Sequence, residues 1–211
     1  MDTTEFVLSQ LPPPPARVLE VGTGAKGSLA LALDAGGYDV VAIDPAAPQG
    51  DGIFRRIKLE EVDEDELFHA IVAVQTLHHV TDLGPALDKI RDHLRPGGVL
   101  VLEELGWDRL DEGTADWFYG QRRAVAAASG GVAPASLEEL RREWDDEHVG
   151  LHGYEDMRRE LDARFVERFF SWEPHLYRYV AGGVAGESLE RGLVEADAIQ
   201  AIGWRYTGEP R

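Results

Sequence analysis

Apolar residues in the first hundred positions alternate between two patterns. Short unbroken runs have the length and composition of strands buried on both faces: Val18-Leu19 with Val21, Val40 to Ile43, Ala70 to Val74 and Val99 to Leu102. Between them lie helical patterns. Leu29 to Ala35 is rich in helix formers and is stopped by Gly36-Gly37. Leu83, Leu87, Ile90 and Leu94 recur on one face, with Pro85 near the start. Ile53 to Leu59, with imperfect alternation, adds another strand. Five strands alternating with helices predict an α/β chain with a parallel sheet.

Outside that block the pattern loosens. Thr3 to Leu11 predicts a short helix, and Pro12 to Pro15 an extended linker into the first strand. Trp107 to Asp162 is long, polar and rich in helix formers, with breaks at Gly130-Gly131 and Pro134. Phe165 to Trp172 predicts a sixth strand, Glu187 to Ala196 a helix, and Ala198 to Thr207 a seventh strand.

The first strand runs into Gly22-Thr23-Gly24-Ala25-Lys26-Gly27, and Ser28 is placed to cap the helix behind it. The second strand closes with Asp44-Pro45. A β-α-β unit with glycines at its first crossover and an acid ending its second strand suits an adenosine-type cofactor. The glycines admit the ligand, and the carboxylate accepts from ribose hydroxyls. Gly22, Gly24 and Gly27 fit the G-x-G-x-x-G of nicotinamide enzymes too. Glu20, two residues before the first glycine, is unusual there and suits a ligand carrying an ammonium group. Asp44 followed by proline is also a common turn former.

With Glu20, this stretch resembles the (D/E)-x-G-x-G motif of class I S-adenosylmethionine-dependent methyltransferases, with Lys26 lengthening the loop by one residue. Leu77-His78-His79-Val80 after the fourth strand and Leu94-Arg95-Pro96-Gly97-Gly98 before the fifth are similar to bacterial small-molecule members of that family. The likeness runs from Val18 to Glu104, about half the chain. It implies a Rossmann-like, seven-stranded, mostly parallel sheet with helices on both faces. The last strand would be antiparallel, inserted between the fifth and sixth, and a helical lid would follow the fifth strand. It also implies S-adenosylmethionine as cofactor, held by Glu20, Val21, Gly22, Thr23, Gly24, Gly27, Asp44 and Pro45. Leu59 and Glu60 would meet the adenine, and Gln75 would complete the set. The implied reaction is methyl transfer to oxygen, nitrogen or carbon of a small molecule. Two other readings stay open: a nicotinamide-binding oxidoreductase, and a non-catalytic ligand-binding protein on the same scaffold.

Composition narrows the partners. The 211 residues suit a single α/β domain. No cysteine is present, so disulfides and thiolate metal sites are excluded. A formal charge of −18 disfavours phosphate backbones and anionic membranes. No apolar run reaches spanning length and no secretory signal opens the chain, so the expected location is cytoplasmic.

Candidate chemistry beyond the cofactor loop centres on histidine. His78 and His79 follow the fourth strand at its carboxyl end, where parallel sheets bind ligands. Being adjacent, one points into the pocket and the other packs. A histidine suits a base for a hydroxyl or amine, and His78 is the one assigned that role. His148 and His152 lie four apart beside Asp145, Asp146 and Glu147. Gly150 and Gly153 weaken the helix that metal ligands would need there, so no metal is expected. Trp107 to Asp162 is expected to form a mobile lid, carrying His152 and an aromatic from Trp107, Trp117, Phe118 or Tyr119 towards the substrate.

Overall fold

The computed structural model describes residues 1–50, 52–180 and 184–211. Helix α1 (Thr3–Gln10) starts at Asp2, whose side chain accepts from the Glu5 N–H in a reciprocal capping box. Four strands come next, namely β1 (Arg17–Val21), β2 (Asp39–Ile43), β3 (Phe54–Arg55) and β4 (Phe68–Val74). Helix α2 (Ser28–Ala35) links β1 to β2, and α3 (Leu83–His93) leads into β5 (Leu94–Leu105). Three helices follow: α4 (Glu112–Ser129), α5 (Leu137–Glu147) and α6 (Tyr154–Arg164). Strand β6 (Phe165–Glu173), α7 (Val184–Glu195) and β7 (Gly203–Pro210) complete the chain.

The seven strands form one sheet in the order β3-β2-β1-β4-β5-β7-β6. Pairings from β3 to β5 are parallel. The last strand sits between β5 and β6 and runs antiparallel, as expected. Its direction shows in the contacts: Arg205 pairs with Glu103 on β5, and Gly106 N–H donates to the Ile202 carbonyl at 2.7 Å.

The Arg95-Pro96-Gly97-Gly98 stretch departs from expectation. It lies within β5 rather than before it. Leu94 pairs with Phe68 and Val99 with Ala70, so β5 carries more chain than the strand it faces and the motif is bulged out of the ladder. Gly97, at φ +74, takes the left-handed turn this requires. Strand β3 is only two residues long, and β7 begins at Gly203 instead of Ala198. The apolar residues before it, Ile199, Ala201 and Ile202, are buried without forming strand, and Gln200 N–H donates to Thr114 Oγ1 on α4.

The chain divides into two compact units. The first holds residues 1–104, 155–171 and 205–211; the second holds 105–154 and 172–204. In the first, Val18, Val40, Ala42, Ala70, Val72 and Val101 from the strands pack with Phe6 and Val7 of α1 and Leu33 of α2. Glu103, facing opposite to Glu104 on the same strand, accepts from Thr3 Oγ1 at 2.9 Å and pairs with Arg205 at 2.8 Å. That pair is buried, and Arg205 also covers the Phe6 ring.

The expected lid segment splits between the units. Glu155 to Asp162 belongs to the first, because α6 buries Met157 and Leu161 and Arg164 at its end pairs with Asp88 on α3. The second unit has its own core of Leu105, Phe118, Leu140, Trp144, Leu176 and Ile202. Glu190 of α7 is fully buried there and accepts from the N–H groups of His175, Leu176 and Tyr177 at 2.7, 3.0 and 2.7 Å. Burial pushes the Glu190 carboxyl pKa up, while those three bonds pull against it.

Candidate cofactor site

The site of the first unit is built from loops at the carboxyl ends of β1, β2 and β4. Gly22 and Thr23 both donate their N–H to the Ile43 carbonyl, at 2.9 and 3.2 Å, pinning the first loop to the end of β2. Gly22 has φ +81, and a Cβ there would lie 2.0 Å from Thr76 Oγ1. Only glycine lets the loop after β1 pass so close to the loop after β4. Gly24 has φ +64, and nothing lies within 4 Å of where its Cβ would be.

Ser28 is not the cap of α2: it is the first helical residue, and Gly27 at φ +59 is the N-cap, with no side chain to offer. Glu20 supplies the missing acceptor. Its buried carboxylate takes the Thr23 hydroxyl at 2.9 Å and the backbone N–H of Ala30 in the first turn. Burial pushes the Glu20 pKa up to about 7; the two hydrogen bonds lower it, and the nearby Asp44 charge adds to the rise.

Asp44 holds the two loops together. One carboxylate oxygen accepts from Gly24 N–H at 3.0 Å, the other from Ala46 N–H at 2.6 Å. The turn-forming role of Asp-Pro is therefore present, together with a link to the glycine loop. Each oxygen keeps a lone pair for a further donor.

These loops surround a cavity of about 450 Å³. Of the residues assigned to the cofactor from the sequence, Val21, Gly22, Gly24, Asp44, Pro45, Leu59, Glu60 and Gln75 line it. Glu20, Thr23 and Gly27 do not: they shape the loop from behind, since the Glu20 carboxylate is spent on capping. Leu59 and Glu60 stand on a short 3-10 turn, Leu59–Glu61, whose first N–H groups follow Lys58. Val80, from the Leu77-His78-His79-Val80 motif, also lines the cavity, as do Ile57, Thr76 and Thr81, which carry no motif that would have marked them. Gln75 adopts φ +52, rare for a residue with a side chain, and its N–H donates to the Glu103 carbonyl at 2.8 Å.

The two adjacent histidines lie in different surroundings. His79 lines the cavity; His78, assigned the pocket, is buried away from the lining. The reason is Glu104. Its carboxylate, with no exposed surface, accepts from Thr76 N–H at 2.8 Å and Leu77 N–H at 2.6 Å, and its other oxygen lies 2.6 Å from His78 Nδ1. The two imidazole rings are 4.1 Å apart. Sequence reasoning missed Glu104, although two successive acids in the apolar run Val99 to Leu105 were a signal.

His152 belongs to the second unit, half-buried between α5 and α6. His148 closes α5: its Nδ1 is 2.6 Å from the Trp144 carbonyl one turn back, and its ring stacks on Trp107. Among the described residues no group of three or more metal-ligating side chains is assembled. Phe118 lies in the core of that unit, and Trp107, Trp117 and Tyr119 pack against it. No helix among the described residues is long and apolar enough to cross a membrane.

Residues 2–152 match the model of the methyltransferase domain family, well over half of the chain. The chain belongs to that family. A ubiquinone biosynthesis O-methyltransferase of Rhodopseudomonas palustris is 30% identical over 101 residues, covering 42% of this chain and 40% of its own length. This chain thus spans about two fifths of that relative. Among solved structures, an S-adenosylmethionine-dependent methyltransferase from Mesorhizobium loti superposes with a TM-score of 0.59 at 14% identity, covering 98% of this chain and 96% of that one. Geranyl diphosphate C-methyltransferase of Streptomyces coelicolor, solved with S-adenosyl-L-homocysteine, gives 0.58 at 13%, covering 99% and 78%. At such identities the two structures speak for the fold. The family match takes the glycine loop out of the nicotinamide reading.

Proposed function

We propose that this chain binds S-adenosylmethionine in the cavity of its first unit and transfers the methyl group to a small-molecule acceptor. The observation that carries the reading is Asp44: a carboxylate on the cavity wall, fixed by two backbone N–H groups, with acceptor capacity to spare. Ribose hydroxyls fit that capacity. Ile57, Leu59 and Val80 offer the apolar surface a purine needs, and Glu60 can accept from its amino group. Open space beside Gly24 gives backbone access to the ligand.

The bound cofactor supplies a methyl group already activated by a positively charged sulfur. What remains for the chain is alignment, exclusion of water and removal of the acceptor's proton. His79, the member of the pair on the cavity wall, is proposed as the group that takes this proton, with His78 held behind it by Glu104. His152 is proposed as a substrate-handling residue of the second unit. The acceptor is a small molecule rather than a nucleic acid, given the charge of −18.

Calorimetry with S-adenosylmethionine tests the reading. Loss of charge-assisted bonds worth about 1.5–3 kcal/mol each should weaken binding by the Asp44→Ala variant at least tenfold, with the fold intact. Unchanged affinity would remove Asp44 from the site, and no binding by the native chain would end the proposal.

A further inference from the structure

We infer that Glu104 is a positioning residue: it fixes His78 in the Nδ1–H tautomer, leaving Nε2 as the basic nitrogen, while bracing the cavity wall. The inference rests on the methyltransferase reading only for its purpose, and its geometry stands apart.

Glu104 has no exposed surface, and a carboxylate without exposed surface must spend its lone pairs within the protein. One oxygen takes two backbone N–H groups, from Thr76 and Leu77, at 2.8 and 2.6 Å. These are the donors left over where the 3-10 turn Leu77–His79 begins. The other oxygen is 2.6 Å from His78 Nδ1. A carboxylate only accepts, so the hydrogen of this bond resides on Nδ1. A neutral imidazole carries one hydrogen, which makes Nε2 an acceptor. Nε2 is therefore the nitrogen left to accept a hydrogen bond behind the wall that His79 lines.

The same three bonds set the wall. Thr76 and His79 line the cavity, Thr76 is held directly by Glu104, and His79 is held through the His78 ring 4.1 Å away. Backbone strain points to the same place: Gln75, immediately before, is in the left-handed region at φ +52. Such a conformation persists only where its surroundings over-determine it.

Glu104→Gln separates tautomer from scaffold. The amide oxygen still accepts from Thr76 and Leu77, but the amide nitrogen now donates to Nδ1, which must lose its hydrogen. Long-range nitrogen–proton correlation spectra of histidine-labelled protein should show His78 as Nδ1–H in the native chain and Nε2–H in Glu104→Gln. His78→Gln provides the assignment. Affinity for S-adenosyl-L-homocysteine should stay within about threefold in Glu104→Gln and fall at least tenfold in Glu104→Ala, where the wall loses its brace. A native His78 in the Nε2–H form, or a tautomer unmoved by Glu104→Gln, overturns the inference. So does unchanged affinity in Glu104→Ala. Failure of the native chain to bind the probe at all would instead sink the cofactor reading, with the tautomer result still deciding the role of Glu104.

Discussion

Both units contain a glutamate with no exposed surface that holds the start of a 3-10 turn, yet the two differ in what they have left over. Glu190 in the second unit gives its acceptors to three backbone N–H groups, those of residues 175 to 177. Glu104 in the first unit serves two, and turns its second oxygen to a histidine. The first arrangement, among the described residues, is bound to main-chain donors and braces the turn. The second couples the main chain to a group that can change protonation state. A buried acid is thus read by its partners: backbone donors alone indicate structure, and a titratable side chain among them indicates chemistry.

Removing the backbone-bound member is the most severe test of this contrast. Glu190→Ala should orphan three buried donors and cost on the order of 3–6 kcal/mol of stability, measured by urea denaturation of the full chain. A loss under about 1 kcal/mol would mean that water replaces the carboxylate and that the turn does not need it. Glu190→Gln keeps one acceptor oxygen and should lose clearly less.

Glu20 sharpens the contrast, because it is a third buried acid in a capping role and its pKa is pushed up to about 7 by burial. Its folded value lies above the ordinary carboxyl value of 4.5, so the folded state holds the extra proton between them. The stability it contributes is full below about pH 4.5 and is lost as pH rises through about 7, a change of about 3 kcal/mol. Glu190, also raised by burial, acts in the same sense. Glu20→Gln should flatten the fall in stability between about pH 4.5 and 7. A slope identical to that of the native chain would show that Glu20 does not titrate in that window.

The smallest effects ask how firmly Glu104 holds Thr76. Gly22→Ala drives a methyl group into the Thr76 side chain, whose backbone Glu104 anchors, so S-adenosyl-L-homocysteine affinity should drop about tenfold or more if the wall cannot yield. Gly24→Ala shares the positive φ but meets open space, and should cost only about 1–2 kcal/mol of backbone strain. Equal losses for the two would mean that φ alone governs the loop and that the Thr76 contact is soft.

The first unit was largely legible because its signals are local. The runs Val18 to Val21, Val40 to Ile43 and Ala70 to Val74 and the helix from Leu83 follow from periodicity. The glycine loop and Asp44 follow from the chemistry of backbone approach. Sequence logic weakened where long-range pairing takes over. The Arg95–Gly98 motif reads as the approach to the fifth strand and becomes a bulge within it because the facing stretch of β4 is shorter there. The Ala198–Ile202 run reads as strand, but its apolar side chains are buried while Gln200 bonds to Thr114 on α4. The role of Glu104 was hidden for the same reason: two acids in an apolar run marked the place, but only the pairing of β4 with β5 brings Glu104 beside Leu77 and His78. For the histidine pair, spacing shows only that neighbours face apart, while the buried acid Glu104 holds His78 and leaves His79 on the cavity lining.

The Glu103–Arg205 pair carries a consequence for the order of events during synthesis. The ribosome delivers Glu103 about a hundred residues before its partner, and β5 keeps an open edge until β7 slots between it and β6. Until then a buried carboxylate lacks its cation and a sheet edge stands unprotected. Closure of the sheet at β5 therefore waits until β7 with Arg205 has been made and is free to pair. A chain truncated before Gly203 should stay open to proteases along β5, and a chain that includes β7 should be protected there.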